Sequence, residues 1–273
     1  MKVVDFLLAI AILAGNGPAF GEPSVSTFPH ELVGDIDKAR FNEPSGICWH
    51  SERRTLFVVG DEGDICEIKT DGTLIKQKRI RKADFEGIMH DPSTGLLYIA
   101  IEGKESIIEI SPETFEVKRE FTLPRSINGK TVMASGAQGI EAITFVPDSD
   151  HPEGGLFWVA NQAFDLDDPH DISAIFQVEL PLRSKKGTPK ILRYIAPSII
   201  DLSGLYHDKR TGNLLVISDK TDTIMEYTIE GDLVKAYTFP GKNQEGITVD
   251  TDGFMYVAQD SGGILKLKWH RAP

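Results

Sequence analysis

Cysteine is nearly absent: two residues, Cys48 and Cys66, in a chain of 273. Two thiols cannot build a disulfide-rich scaffold, and without a Cys-x-x-Cys pair they offer no zinc or redox motif. Basic clusters are missing as well. The formal charge is -12, the sequence pI is about 5.1, and no run of Lys and Arg interleaves with aromatics, which argues against a nucleic-acid partner. No stretch places apolar residues at helical spacing over a useful length, so a helical architecture is disfavoured too. Catalytic signatures are equally scarce. There is no Gly-x-Ser-x-Gly elbow and no H-E-x-x-H pair. "GKT" at Gly129 has Pro124 where a phosphate loop requires its first Gly. "DLDDPHD", Asp165 to Asp171, lacks the Gly and Glu of an EF-hand and reads as a solvated loop or a lid.

The one long apolar stretch lies at the start. "MKVVDFLLAIAILAGNGPAFGEP" combines Lys2, apolar residues from Phe6 to Ala14, and small residues at Ala19 and Gly21, the outline of a secretory signal over residues 1–21. This stretch falls short of the ~20 residues that span a bilayer. Residues 22–273 are therefore expected as a single domain, periplasmic or secreted, with peripheral membrane association open if the segment is retained.

Behind that leader the chain repeats a short opening motif followed by a hairpin. The copies read "PSGICWHSERRTLFVVGDEGDICEI", "FEGIMHDPSTGLLYIAIEGKESIIEI", "IEAITFVPDSDHPEGGLFWVANQAF", "LSGLYHDKRTGNLLVISDKTDTIMEY" and "QEGITVDTDGFMYVAQDSGGILKL". The small residues of the opening motifs, Gly46, Gly87, Ala142, Gly204 and Gly246, are spaced by 41, 55, 62 and 42 residues. The shorter spacings fit one four-stranded propeller blade each, and the longer ones hold extra loops without another opening motif. In the second repeat the strands are "GIMHD", "LLYIAI", "SIIEIS" and "KREFTL". The fold expected is all-β: a five-bladed β-propeller with four-stranded antiparallel blades. The fifth repeat supplies three strands, so the N-terminal "STFPHELVGDI" is expected to close the ring. Cys48 and Cys66 then fall on the first and third strands of one blade, about two spacings of ~4.8 Å apart. That is too far for a disulfide, and two buried free thiols are expected.

In a propeller the first strand of each blade lines the axis and the second runs back beside it. The residue that precedes each small residue, here termed the lead residue, therefore shares one rim with the end of strand two. The separations agree: Ser45 to Asp61, Glu86 to Glu102 and Ser203 to Asp219 are each 16 residues, Glu141 to Gln162 is 21, and Glu245 to Asp260 is 15. An inner set of Ser45, Glu86, Glu141, Ser203 and Glu245 is thus expected at the axis, facing Asp61, Glu102, Gln162, Asp219 and Asp260. Up to seven of these ten are carboxylates. Unit charges ~6 Å apart at an effective dielectric of ~20 repel by about 3 kcal/mol, so a cation or protons must offset them. An oxygen-only ligand set without a His or Cys cluster suits Ca²⁺ better than zinc or copper. The competing reading has the acidic lead residues bonding neighbouring blades' amides and locking the blades together.

The opening motifs "LSGL", "FEGI", "IEAI" and "QEGI", followed by "LYIAIE" and "LLVISD", resemble the YjiK/CarP family, also called SdiA-regulated proteins. The order Ser, Glu, Glu, Ser, Glu at the lead positions is similar too, and the resemblance runs from about Phe28 onward. It implies a bacterial, exported or membrane-associated five-bladed propeller linked to calcium and related to phytase-like and esterase-like propellers. It assigns no catalytic residue. Gln162, where a carboxylate would be expected, and the acidic loop after it depart from the pattern.

Two function classes follow. The first is a calcium-responsive binding or sensor protein with a divalent metal, and with a protein or phosphorylated small molecule as open partners. The second is a metal-dependent phosphoester hydrolase, with Lys104, Lys220 or Lys242 near the rim to neutralise developing charge. A gluconolactonase-type lactonase is a further alternative, generally six-bladed, which the blade number separates. His50, His90 and His207 follow the channel strand at its opposite end and read as turn residues.

Overall fold

The second strands, TLFVVG, LLYIAI, GLFWVAN, NLLVIS and FMYVAQ, are almost unbroken apolar runs. A strand of that composition must bury both faces. Each does so inside a small sheet packed between two others. The computed structural model describes residues 25–270 other than 137, 163–172, 185–186, 198, 240 and 242. The signal expected over 1–21, the acidic loop Asp165 to Asp171 and Lys242 lie outside the described residues.

Every regular element among the described residues is a strand, and the strands form five antiparallel blades, as expected. Blade 1 comprises Pro44–His50, Thr55–Gly60, Asp64–Ile68 and Leu74–Arg79. Blade 2 comprises Phe85–Asp91, Leu96–Ile101, Ser106–Ile110 and Val117–Thr122. Blade 3 runs through Ile140–Pro147, Gly155–Asn161, Ala174–Glu179 and Lys190–Ile195, and blade 4 through Leu202–Asp208, Asn213–Ser218, Thr223–Tyr227 and Leu233–Thr238. Blade 5 has Gln244–Val249, Phe254–Gln259 and Ile264–Trp269, and takes His30–Asp35 as its outer strand.

The N-terminal stretch does more than close the ring. Ser26–Thr27 pairs parallel with the outer strand of blade 4 before the chain crosses to blade 5. Phe28, 1% exposed, pins the crossing against Tyr237, Phe239 and Trp269 at ring separations of 5.3, 5.7 and 5.6 Å. Outer strands such as LIKQKR and VKREFT are charged and exposed, which blunts their edges.

The described core divides into five apolar clusters, one per blade interface. Cys48 belongs to the cluster between blades 1 and 2 and Cys66 to that between blades 5 and 1. Both thiols are free and buried as expected, and burial pushes both well above the ordinary thiol range. The histidines depart from expectation. His50, His90 and His207 are strand residues, not turn residues. The insertion before blade 3 forms a small hairpin, Ser126–Ile127 with Lys130–Thr131, anchored where Arg125 Nε donates to the Met133 carbonyl at 3.1 Å.

At the axis the first strands meet almost backbone to backbone. A Cβ added to Gly46 would lie 2.0 Å from the Glu86 carbonyl oxygen, and one on Gly246 would lie 2.5 Å from the Ile47 amide. Below these glycines, Ile47, Ile88, Ile143, Leu205 and Ile247, none more than 4% exposed, surround a void of about 10 Å³. That is at the limit for one water. The channel is thus closed by an aliphatic septum with a mouth on either side.

Gly46→Ala should destabilise the protein by at least ~2 kcal/mol, a fall in Tm of roughly 4 °C or more, because the obstacle is backbone and cannot rotate away. Thermal melts of that variant beside Ala142→Gly, at the equivalent place in blade 3, check this; the second should shift far less.

Candidate metal centre

The lead residues sit on bulges. In blade 1, Pro44 pairs with Gly60 and Gly46 with Val59, leaving Ser45 without a register partner. The same irregularity falls at Glu141 and Ser203, and between Phe85 and Ile88 and between Gln244 and Ile247 it takes in Glu86 and Glu245. A bulge adds a residue to one strand and re-aims a side chain. All five lead residues are consequently turned out of the ladder at the same rim.

The bulge also corrects the facing expected from the spacing. The residue ending strand two pairs not with the lead residue but with the residue two before it. The amides of Glu102, Gln162, Asp219 and Asp260 donate to the carbonyls of Asp84, Gly139, Asp201 and Asn243, at 3.1, 3.0, 3.2 and 3.0 Å. The extra residue accounts for the offset. It also exposes a set that aligning the opening motifs passes over: Glu43, Asp84, Gly139, Asp201 and Asn243. Glu43, Asp201 and Asn243 have φ of 45°, 61° and 51°, a left-handed conformation in which Asp and Asn are enriched. The regular offset of minus two from each lead residue was the available signal.

The inner glutamates converge. Glu86 and Glu141 are buried and Glu245 is half-buried. Burial, then the charges of Glu141, Asp61, Asp84 and Glu245, holds the Glu86 carboxyl well above the ordinary range. Burial and the neighbouring Glu102 and Glu245 do the same to Glu141, which shares hydrogen bonds with both Glu102 and Glu86. Glu245 is raised by burial and by Asp219, Asp201, Asp260 and Asp61. Burial lifts Asp61 to about 6 against the opposing hydrogen bond from the Ser45 hydroxyl. Oxygens of Asp61, Asp84 and Glu86 all lie within 4.8 Å of one another.

The remaining predicted residues tie blades together, although Glu102, lifted to about 7 chiefly by burial, also belongs to the acidic cluster through its hydrogen bond with Glu141. Glu102 accepts from the Gly139 amide at 2.9 Å, Gln162 Nε2 donates to Asp201 at 2.6 Å, and Asp219 accepts from the Gln244 amide at 2.8 Å. Each contact runs from one blade to the next. Ser203 likewise donates to the Gln244 carbonyl at 2.7 Å. Blade locking therefore falls mainly to the strand ends and to Ser203, while the lead glutamates are bunched at the axis. Gln162 suits its place: an amide donor ties to Asp201 where another carboxylate would repel it. Glu105, which the repeat pattern does not single out, accepts from the Gly136 and Ile140 amides at 3.3 and 3.0 Å, so the insertion before blade 3 supplies donors to the rim. Lys104 and Lys220 are exposed, and the Lys104 charge acts on Glu120.

A sequence model of the SdiA-regulated family matches residues 34–262. The chain belongs to the SdiA-regulated family. The match spans all five opening motifs of this SdiA-regulated protein. No curated protein matches the sequence. Among solved structures the chain is similar to a glutaminyl cyclase of Myxococcus xanthus, 10% identical, covering 89% of this chain and 97% of that one with a TM-score of 0.61. It is also similar to a streptogramin B lyase, 13% identical, covering 88% and 97% with a TM-score of 0.51. These likenesses show the propeller fold.

Raised carboxyl pKa values fix the sign of the pH dependence. Between the unfolded value near 4.5 and the folded value, the folded protein holds more protons, so stability falls as pH rises. Chelator-treated protein should accordingly be most stable near pH 5 and lose Tm through pH 6, where Asp61 titrates, and on to pH 8. Melting curves across that range check it. Ordinary ion-paired acids, whose folded pKa values lie below the unfolded one, would leave Tm flat over this range and lower it only below about pH 4.

Proposed function

We propose that this rim is a calcium site and that the protein is an exported, calcium-responsive binding protein. The observation that supports the reading is the convergence of Glu86, Glu141 and Glu245 with Asp61 and Asp84, whose foremost charged neighbours are other carboxylates. In the absence of a cation such a group holds protons between its oxygens. Ca²⁺ takes six to eight oxygens at flexible geometry and would replace those protons, with Glu86, Asp61 and Asp84 as its nearest ligands and Glu141 and Glu245 completing the charge. The strand-end residues Glu102, Gln162, Asp219 and the hydroxyl of Ser203 would hold the blades that present these ligands, and Asp260 and Ser45 would support the charge and orientation of the inner set.

The septum beneath the acids gives the site one entrance. A hydrated ion reaches it from the rim and leaves the same way, as suits a sensor that follows the surrounding calcium concentration. The hydrolase alternative requires a cationic side chain beside the metal to meet a phosphoryl group. Among the described residues, Lys104 and Lys220 are exposed and neither ranks among the foremost charges acting on the inner acids, which favours the binding reading. Five blades likewise disfavour the lactonase alternative.

Calcium at 100 times its Kd should raise Tm by roughly 5–10 °C at pH 8 and far less at pH 5, with proton release on binding. Glu86→Gln separates this from simple blade locking. It should raise the Tm of the metal-free protein, by relieving repulsion, while weakening calcium at least tenfold by calorimetry. A variant destabilised without metal and binding calcium normally would refute the site.

A further inference from the structure

The blades are stitched together toward their outer edges by one recurring contact, and at one junction its acceptor half is missing. On the outer strand of blade 1, Lys76 Nζ donates to the carbonyls of Pro112 and Glu113, the latter at 2.9 Å, in the turn between the third and fourth strands of blade 2. Arg119 of blade 2 donates to the Pro181 carbonyl of blade 3 at 3.0 Å, and Arg193 of blade 3 to the carbonyls of Ile229 and Glu230 in blade 4. Each cation also lies over an aromatic ring: Phe115, Phe121 and Trp158 respectively. Turn carbonyls lack ladder partners, and the neighbouring blade's cation satisfies them.

Register explains the recurrence. The cation stands opposite a polar residue of the third strand: Lys76 opposite Glu67, Arg119 opposite Glu109 and Arg193 opposite Gln177. Each of those residues contacts its cation and steadies it. In blade 5 the cation has moved to the third strand. There Lys266 stands opposite Gly34 and donates to the Thr70 carbonyl of blade 1 at 3.1 Å.

Blade 4 has the cation without the acceptor. Lys235 stands opposite Glu226 at the equivalent register. Blade 5, however, has no turn between its third and fourth strands, because the third ends at Trp269 and the fourth begins at His30, from the other end of the chain. The His270 amide bridges that break by donating to the Pro29 carbonyl at 2.9 Å. Glu226 is buried and engages Asn213, whose side-chain amide donates to it at 2.7 Å. Lys235 is exposed and has no hydrogen bond or ion pair among the described residues. Where the turn would lie there is a cavity of about 490 Å³, within the range of ligand pockets, lined by Lys235 with Glu226, Tyr237, Trp269, Pro29 and His270.

We infer that this gap is a docking site for an acidic turn of a partner protein, whose backbone carbonyls meet Lys235 as the turns of blades 1 to 4 meet Lys266, Lys76, Arg119 and Arg193. The four filled junctions define the occupant. Three of their turns place an acid at or directly after a bonded carbonyl, namely Asp71, Glu113 and Glu230. Tyr237 and Trp269 supply the aromatic surface against which the turn's side chains pack. The gap lies at the outer strands rather than at the axis, so docking does not depend on calcium.

The protein's own blade 2 turn serves as the probe: the capped peptide acetyl-Ser-Pro-Glu-Thr-Phe-Glu-amide, residues 111–116. Titrated into the full chain with chelator present, it should bind with a Kd of roughly 1 mM and shift the Trp269 indole N–H resonance, which Trp269→Phe assigns. Lys235→Ala, an exposed change that leaves the fold intact, should weaken the peptide about tenfold, the loss expected for one charge-assisted contact. Lys209→Ala removes the same charge from a nearby turn outside the cavity and should bind like the parent. No shift up to about 10 mM, or Lys235→Ala binding like the parent, overturns the proposal. So does an affinity gain of about tenfold on deleting residues 271–273, which would assign the gap to the chain's own end. A dimer in sedimentation that Lys235→Ala dissociates would assign it to a second copy and overturn it likewise.

Discussion

Five strands meet around one axis with no room for a side chain where they are closest, and most of the molecule's properties follow from that crowding. Gly46, Gly87, Gly204 and Gly246 abut the neighbouring first strand so closely that a Cβ would enter its backbone. There Ile47, Ile88, Ile143, Leu205 and Ile247 come together around a void of about 10 Å³. The closure makes the rim a cup rather than a channel, and a cup has a low-dielectric floor. Carboxylates above such a floor lose part of their hydration and feel one another strongly, so burial ranks first among the causes that raise Glu86, Glu141 and Glu245.

Holding those acids together demands a rim that cannot spread. The strand-end contacts provide this: Glu102 to the Gly139 amide, Gln162 to Asp201 and Asp219 to the Gln244 amide each bind one blade to the next. Between blades 2, 3, 4 and 5 the repulsion at the axis is therefore opposed by hydrogen bonds just outside it. The N-terminal stretch contributes on the outer side, pairing with blade 4 and completing blade 5. An axis of like charges and a laced circumference are complementary halves of the same arrangement.

The sequence shows the blades because each repeats one hairpin pattern, whatever loops lie between the copies. Opening motifs recur, second strands are apolar throughout and turns are marked, so the strands of blade 2 could be placed within a residue or two. Ring closure by "HELVGD" was legible because the last repeat lacks a strand. The rim was legible only in outline. Counting residues gives the separation of Glu86 and Glu102 but not the extra residue hidden in the ladder, so the partner of Glu102 became Glu86 instead of Asp84. Asp84 and Asp201 went unnoticed for the same reason. The amides that the insertion before blade 3 brings to Glu105 belong to no repeat, and a repeat alignment cannot reveal them. The histidines were visible, but their surroundings depend on the septum and on packing between blades.

The bulge itself has a physical reason. In a regular strand, residues two apart share a face, so Glu86 would lie on the face of Ile88, and Glu245 on that of Ile247. Those isoleucines are buried in the apolar clusters between blades 1 and 2 and between blades 4 and 5. A lead glutamate continuing that face would carry its carboxylate into hydrocarbon, where an unpaired charge is prohibitively unfavourable. One added residue between the pair breaks the alternation, leaving the isoleucine in the core and releasing the acid to the mouth. Because the irregularity occurs in every blade, including the two that open on a serine, it belongs to the scaffold rather than to the acids. A scaffold that turns each lead residue toward the axis can then gather glutamates there without loss to its core.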